Sequence, residues 1–451
     1  MSMKRLPILC NCCKRKIEKG AFYMEKVALT TGQKALMTLY NEEDFCVNLP
    51  FAFQIRGKLD KVRLEQALQQ TIDDNDVFRF QFEKDAKTGM IYQFLVERVA
   101  YRLDERIPAG NTYAEKYEDV KKQVYAILQK AKGLFNSRLW DFVLFDMGDD
   151  THLFFARINH LICDGVSIVA VLSDILSHYN GVPVQKSQGF AAFMKEQEAF
   201  QKTPEYAKLF QTFQPLIESY QRYQSFITYP KENRKKTKEV YFTSVESSAL
   251  TQFCKVHKMS LFHVSLFLYH AAISAVYNKA DTMIIVPIGT RKTNYRNTVG
   301  YLVSACYSRL LFENDTGMQQ AAIACRNHFL ESAKIAPIFF DIYVQNGFPH
   351  EFLLTYQNQM TNAEKKIPFG EAFVEPLTDP DFNPQEVETN VSTVSGVEKG
   401  DKIVYTLRAD EDTFPPEMRE KAAKAFALAA RCLVQEDMTF GAFCKVLQQE
   451  R

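Results

Sequence analysis

The chain has 451 residues, 46% of them hydrophobic and 24% charged, the balance of an ordinary folded protein. Its 55 Lys and Arg against 54 Asp and Glu leave a net charge of +1, which gives no basis for a nucleic-acid groove or a strongly anionic membrane surface. No run of about 18 uncharged apolar residues occurs, so no membrane-spanning helix is expected, and the short apolar patch near the N-terminus does not make a signal peptide. Single cores stop growing at roughly 250–300 residues, so two lobes are expected.

Residues 1–23 read as a translated leader ahead of a native start at Met24. Cys10, Cys12 and Cys13 lie in that stretch without a second pair at ligand spacing, so no metal is expected. The ten cysteines are spread along the chain, with Cys254, Cys325, Cys432 and Cys444 inside apolar runs. That pattern suits buried free thiols in a reducing cytosol, and hence a cytoplasmic protein.

From Ala28 onward, strand and helix signals mix. The stretch 51–59 alternates apolar and polar residues as a half-buried strand does, and 59–75 then follows helical spacing with Asp60 as its N-cap. Strands are predicted over "VFRFQFEKD", 90–97 and 139–147, with an amphipathic helix over 113–135 between them. After a strand at 154–163 comes a buried helix over 165–181 that ends at Gly181. The charge-dense run 228–240 reads as a linker, and its "KENRKK" (231–236) as an exposed basic patch. Beyond it are a strand "VYFTSV", helices over 247–279, strands "DTMIIVPIG" and "VGYLVSACYSRLLF", two further strand-like runs, and a terminal helix over 415–436. The sum is an α/β or α+β protein whose N-terminal lobe spans 24–183 and whose C-terminal lobe spans 184–451.

"NHLICDGVS" carries the chemistry. His160 follows a strand directly and precedes Asp164-Gly165, a rigid element end where catalytic groups are placed. A buried Asp164 needs a cation or several donors, so its expected job is to hold the turn, with Gly165 supplying a positive φ. No Ser-His-Asp pattern, Cys-His dyad or H-E-x-x-H motif accompanies His160. It would act on a substrate directly, as a base or hydrogen-bond partner.

These residues resemble the H-H-x-x-x-D-G motif of the condensation-domain and chloramphenicol-acetyltransferase-like superfamily. His160 stands at the second histidine and Asn159 at the first. "LTTGQKALMTLY" (29–40) resembles the S-x-A-Q-x-R-L-W-x-L opening of nonribosomal peptide synthetase condensation domains, keeping Gln33, Leu36 and Leu39. The next block resembles R-H-E-x-L-R-T-x-F through Arg79 and Phe82, with Asp74, Asn75 and Asp76 in place of Arg-His-Glu. "VGYLVSACYSRL" (299–310) resembles V-G-x-F-V-N-T-x-x-x-R through Gly300, Val303 and Arg309, with Ser304 where Asn is usual.

The resemblance implies two chloramphenicol-acetyltransferase-like lobes in a V with a tunnel at the seam, and His160 as the catalytic residue. Asp164 would pair with an arginine from the other lobe, either Arg291 in "GTRKTNY" or Arg309; the position of Arg291 after Gly289 at a strand end favours it. Asn159, Tyr301, Ser304, Tyr356 and Gln357 are the candidates to line the substrate site. The implied reaction is amide formation between a carrier-bound acyl or aminoacyl thioester and an amine, as in nonribosomal peptide or lipopeptide-like biosynthesis. The chain is expected to be a free-standing monomer, with no bound cofactor and with substrates on the phosphopantetheine of separate carrier proteins or on coenzyme A. Two alternatives share the scaffold. One is an ester-forming acyltransferase, since "SRLWDFVLF" (137–145) is similar to a block of wax-ester synthases. The other is a non-catalytic carrier-docking scaffold, which Asn159 and the missing Arg-His-Glu would permit.

Overall fold

The computed structural model describes residues 26–38, 47–130, 133–135, 138–227, 237–357, 366–377, 382, 391–411, 414–435 and 438–449. Residues 1–23 with their three cysteines, and the basic run 231–236, lie outside them.

After β1 (Val27–Ala28), Thr30 and Gln33 open α1 (Thr31–Thr38) with a reciprocal cap. The Thr30 hydroxyl accepts from the Gln33 N–H, and the Gln33 side chain accepts from the Thr30 N–H. β2 (Asn48–Arg56) leads to α2 (Lys61–Asp74), where the Asp60 carboxylate caps Arg63 N at 3.0 Å. The strand expected over 77–85 begins inside a 3-10 turn (Asp76–Arg79) and becomes β3 only at Phe80–Lys84, followed by β4 (Ile91–Leu95) and β5 (Asp104–Arg106). Then come α3 (Tyr113–Lys130), β6 (Trp140–Gly148), β7 (Thr151–Asn159), α4 (Gly165–Asn180) and α5 (Phe190–Gln201). Gly181 ends α4 in the left-handed region at φ 69°. The helix α4, expected to be buried, turns Ser167, Val171, Ile175 and Tyr179 inward and leaves Val166 and Val169 exposed.

The second half contains α6 (Pro204–Thr212), α7 (Gln214–Gln221), β8 (Val240–Glu246), α8 (Ser247–His257), α9 (Leu261–Tyr277), β9 (Asp281–Gly289) and β10 (Val303–Leu311). It continues through α10 (Met318–Ser332), α11 (Phe339–Asn346), β11 (Phe352–Gln357), the hairpin β12 (Ile367–Phe369) and β13 (Ala372–Pro376), β14 (Ser392–Lys399), β15 (Lys402–Arg408), α12 (Pro416–Leu433) and α13 (Phe440–Gln449). No helix among the described residues is long and apolar enough to cross a membrane.

The chain forms two compact units. The first comprises Met1–Ala199, Arg291–Leu302 and Ala363–Pro384; the second is Phe200–Thr290, Val303–Asn362 and Gln385–Arg451. The boundary therefore falls later than residue 183, and two stretches of the second half belong to the first unit. Those stretches are joined to it by long-range hydrogen bonds and strand pairing that leave no local mark in the sequence. They also shorten the strand predicted from Val299, which begins at Val303.

The first unit holds a six-stranded sheet in the order β12-β13-β2-β7-β6-β5 and a three-stranded sheet β1-β4-β3. Its β7 pairs antiparallel with both β2 and β6 and is buried from His152 to Asn159. On one face, Val120, Val124 and Leu128 of α3 pack on Val143, Phe145, Leu153 and Phe155. β7 is thus gripped on both edges and one face, which makes its end at Asn159 a rigid place for a functional group. The second unit's sheet runs β10-β9-β11-β14-β15-β8, with α9 buried from Val264 to Ser274. Its buried Cys254, Cys306, Cys325 and Cys432 are free thiols, and Cys444 is half-buried.

Candidate active site

His160 is positioned first by backbone. Asn159 N donates to Leu139 O at 2.7 Å and His160 N to Val47 O at 2.9 Å, which fixes where β7 stops. Asn159 Oδ1 then accepts from Leu161 N at 3.0 Å and caps the 3-10 turn His160–Ile162. The Asn159 side chain, a predicted substrate contact, is therefore engaged inside the turn and buried.

The half-buried His160 ring places Nδ1 2.7 Å from Cys163 O. A carbonyl only accepts, so Nδ1 carries the proton and Nε2 keeps its lone pair. Burial pushes the imidazole pKa below its ordinary value, and the Cys163 carbonyl and the Asp164 charge only partly oppose it. At neutral pH the group is an unprotonated base. The Tyr301 ring meets it edge-on at 5.4 Å and 81°. The neighbouring Cys163 thiol is held protonated by burial, so it does not compete as a nucleophile.

Asp164 builds the support. Its Oδ1 accepts from Ser167 N and from the Ser167 hydroxyl, both at 2.9 Å, and so caps α4. Arg291 clamps both carboxylate oxygens at 2.7 Å, and Leu302 N donates to Oδ2 at 2.9 Å. The Ser167 hydroxyl also touches Gly300 N (3.0 Å) and O (2.8 Å) and accepts from Arg291 Nη2 (2.9 Å). One carboxylate and one hydroxyl thus tie the start of α4 to the segment 291–302, which also carries Tyr301 and belongs to the same unit, so the partner of Asp164 does not come from another lobe as expected.

Gly300 is required by space. A Cβ there would lie 2.4 Å from Phe190 Cδ2, whose ring is fully buried. Phe190 is fixed in turn because Asp76 accepts from Phe190 N (3.0 Å) and Ala191 N (2.8 Å) and caps α5. Burial raises the Asp76 pKa, and those two amide bonds act against the shift. The acid that replaces the expected Glu is therefore a helix cap.

Gly165 is not in the left-handed region, contrary to the expected positive-φ turn; it is simply the first, exposed residue of α4. Arg309 does not reach Asp164. It pairs with Asp281 at 2.6 Å and bonds Ser219 inside the second unit. Ser304, Tyr356 and Gln357 also belong to the second unit. Ser304 bonds Ala336 O at 2.5 Å, Tyr356 bonds Glu398 at 2.9 Å, and Gln357 is exposed at the end of β11. Ser167, Phe190 and the capping role of Asp76 were missed by the sequence reading. The Asp-x-x-Ser spacing at a helix start was the available signal for Ser167. Among the described residues no group of three His, Cys, Asp or Glu could hold a metal.

The condensation-domain family model matches residues 24–426. Gramicidin S synthase 2 of Aneurinibacillus migulanus is 24% identical over 273 residues, which is 58% of this chain but only 6% of that much longer protein. The condensation domain of the monacolin K polyketide synthase MokA superposes with a TM-score of 0.75 at 13% identity, covering 91% of this chain and 99% of that one. A mutant starter condensation domain of rhizomide synthetase RzmA, in complex with C8-CoA and Leu-SNAC, gives 0.72 at 13% identity, covering 92% and 96%. At these identities the structures show a shared mixed α/β fold. Amide-bond formation is the general reaction of such domains, and this chain belongs to the condensation-domain family.

Proposed function

We propose that the chain is an amide-forming acyltransferase that joins an acyl or aminoacyl thioester, carried on a carrier protein or coenzyme A, to an amine. The observation that carries this reading is the 2.7 Å bond from His160 Nδ1 to Cys163 O, which leaves Nε2 unprotonated at neutral pH. In the step, the amine nitrogen attacks the thioester carbonyl carbon and its proton passes to Nε2. The C–S bond then breaks and the departing thiolate takes back the proton held on Nε2, which restores the neutral imidazole. A neutral amine is already a good nucleophile toward a thioester, so holding it in line contributes beside proton transfer. The His160 and Asp164 arrangement favours this reading over a scaffold, and the two ligands of the RzmA structure, C8-CoA and Leu-SNAC, are of the donor and acceptor types it requires. The buried free thiols suit the reducing cytoplasm in which we place it.

The test incubates the protein with a panel of acyl-coenzyme A and acyl-carrier thioesters plus aminoacyl N-acetylcysteamine thioesters or fatty alcohols, with products read by mass spectrometry. The expected product is an amide. An ester formed from the alcohols, with no amide, would replace the reading by the ester-forming one. No product across the panel would leave a docking scaffold.

A further inference from the structure

Gln33 is fully buried on α1, and so is Gln93 on β4. Two buried primary amides are costly unless every donor and acceptor is matched. Here they are. Gln33 Nε2 donates to Gln93 Oε1 at 3.1 Å, and Gln93 Nε2 donates to Gln33 Oε1 at 2.8 Å. Gln33 Oε1 also accepts from Thr30 N at 2.9 Å, and Gln93 Nε2 reaches Ala28 O at 3.3 Å.

The remaining Gln33 proton goes to Leu161 O at 2.9 Å. Leu161 is the residue after His160, inside the 3-10 turn that aims the imidazole. That turn is only three residues long, and it is also held by His160 N to Val47 O, Leu161 N to Asn159 Oδ1, His160 Nδ1 to Cys163 O and a long backbone bond of 3.5 Å from Cys163 N to His160 O. Beside the backbone tie from Val47, Gln33 supplies a side-chain tie from α1, 128 residues away in sequence. The peptide plane it grips is the one joining Leu161 to Ile162. Without that grip the turn is freer to shift as a whole, and with it the Cys163 carbonyl that holds the Nδ1–H tautomer and leaves Nε2 bare.

We propose that Gln33 is a positioning residue for the reaction: through Leu161 O it fixes the turn that presents His160, with Gln93 holding the Gln33 amide in the required orientation. The proposal rests on the reading of His160 as the reacting base. Its test reads geometry without turnover, so the two fail separately.

The protein is labelled with 15N-histidine, and the His160 ring signals are assigned by their loss in His160→Gln. Proton–nitrogen correlation at pH 7.5 then gives the share of the Nδ1–H tautomer. The wild type is expected to show Nδ1–H almost alone. Gln33→Met, of similar volume but with no donor, is expected to lower that share at least twofold. Gln93→Met, which leaves the Gln33 donor in place but removes the partner that orients it, is expected to lower the share by less. Val120→Ala, a core change under α3, is expected to leave it at the wild-type value. Should Gln33→Met not fold, Gln33→Glu at pH 8 takes its place, because a carboxylate keeps the two acceptor contacts and cannot donate to Leu161 O. An unchanged tautomer share in the folded Gln33 variant would overturn the proposal. So would an equal loss in Val120→Ala, which would reduce the effect to general loosening.

Discussion

The guanidinium of Arg291 grips the carboxylate of Asp164 through two 2.7 Å bonds, and both side chains are almost fully withdrawn from water. Removing one partner of a buried pair strands the other charge, so Arg291→Met and Asp164→Leu should each cost about 3–5 kcal/mol in urea unfolding. A simple exchange of the two residues would restore a pair held by charge alone. Here Asp164 also accepts from Ser167 N and Leu302 N, which an arginine at 164 would face as donor against donor. The exchanged double variant is therefore expected to recover almost none of the lost stability. Recovery of half or more would show that the amide contacts matter little. Arg291→Lys should rescue poorly as well, because a point charge cannot clamp two oxygens while also reaching Thr298 O, as Arg291 Nη2 does at 3.1 Å.

Gly300 offers a test of packing on the same segment. Gly300→Ala puts a methyl into the Phe190 ring, and overpacking of this kind costs about 1–3 kcal/mol. Shortening the neighbour should relieve the clash, so Gly300→Ala with Phe190→Leu is expected to be less destabilised than the sum of the two single changes. Thermal unfolding of the four proteins in the cycle measures this. Strict additivity would place the requirement for glycine elsewhere.

The second unit has its own pH signature. His270 is fully buried, with Nδ1 2.7 Å from Thr282 Oγ1 and Nε2 3.0 Å from Ser308 Oγ, and burial lowers its pKa to about 3. An unfolded histidine titrates near 6.5, so between pH 6.5 and about 3 the unfolded chain holds the extra proton. Stability from this group is complete above pH 6.5 and is lost as pH falls toward about 3. His270→Asn is expected to be less stable at pH 7.5, yet to lose stability more slowly between pH 6 and 4, by up to about 1.4 kcal/mol per pH unit. Urea unfolding at each pH checks the slope. Parallel slopes for both proteins would contradict the assignment.

Much of this was legible in the sequence. The bounds of α4 and β9 follow from periodicity and from Gly181, and the preference for Arg291 over Arg309 followed from its place just after a strand end. What was not legible is long-range. Nothing local marks 291–302 as part of the first unit, because Arg291, Gly300 and Leu302 are held by Asp164 and Ser167 more than 120 residues earlier. Nor does Asp76 announce itself as the cap of a helix 114 residues on. Gly165 was misread because Asp-Gly suggests a left-handed turn, whereas Asp164 acts as an N-cap, after which any residue can enter the helix. Ser304 and Tyr356 were placed on the right strands, but their hydroxyls are engaged by Ala336 O and Glu398.

The central claim is that His160 Nε2 accepts the proton of an attacking amine. The most direct measurement is the single-turnover rate of amide formation for wild type and His160→Ala from pH 5 to 8, with unfolding midpoints matched. Because burial lowers the His160 pKa, the wild-type rate, once divided by the fraction of substrate amine that is neutral, should stay level as pH falls through 6.5 and drop only below it. His160→Ala should be slower by about 10²–10⁴-fold on that plateau with its fold intact. A folded His160→Ala protein that forms amide at the wild-type rate would contradict the account.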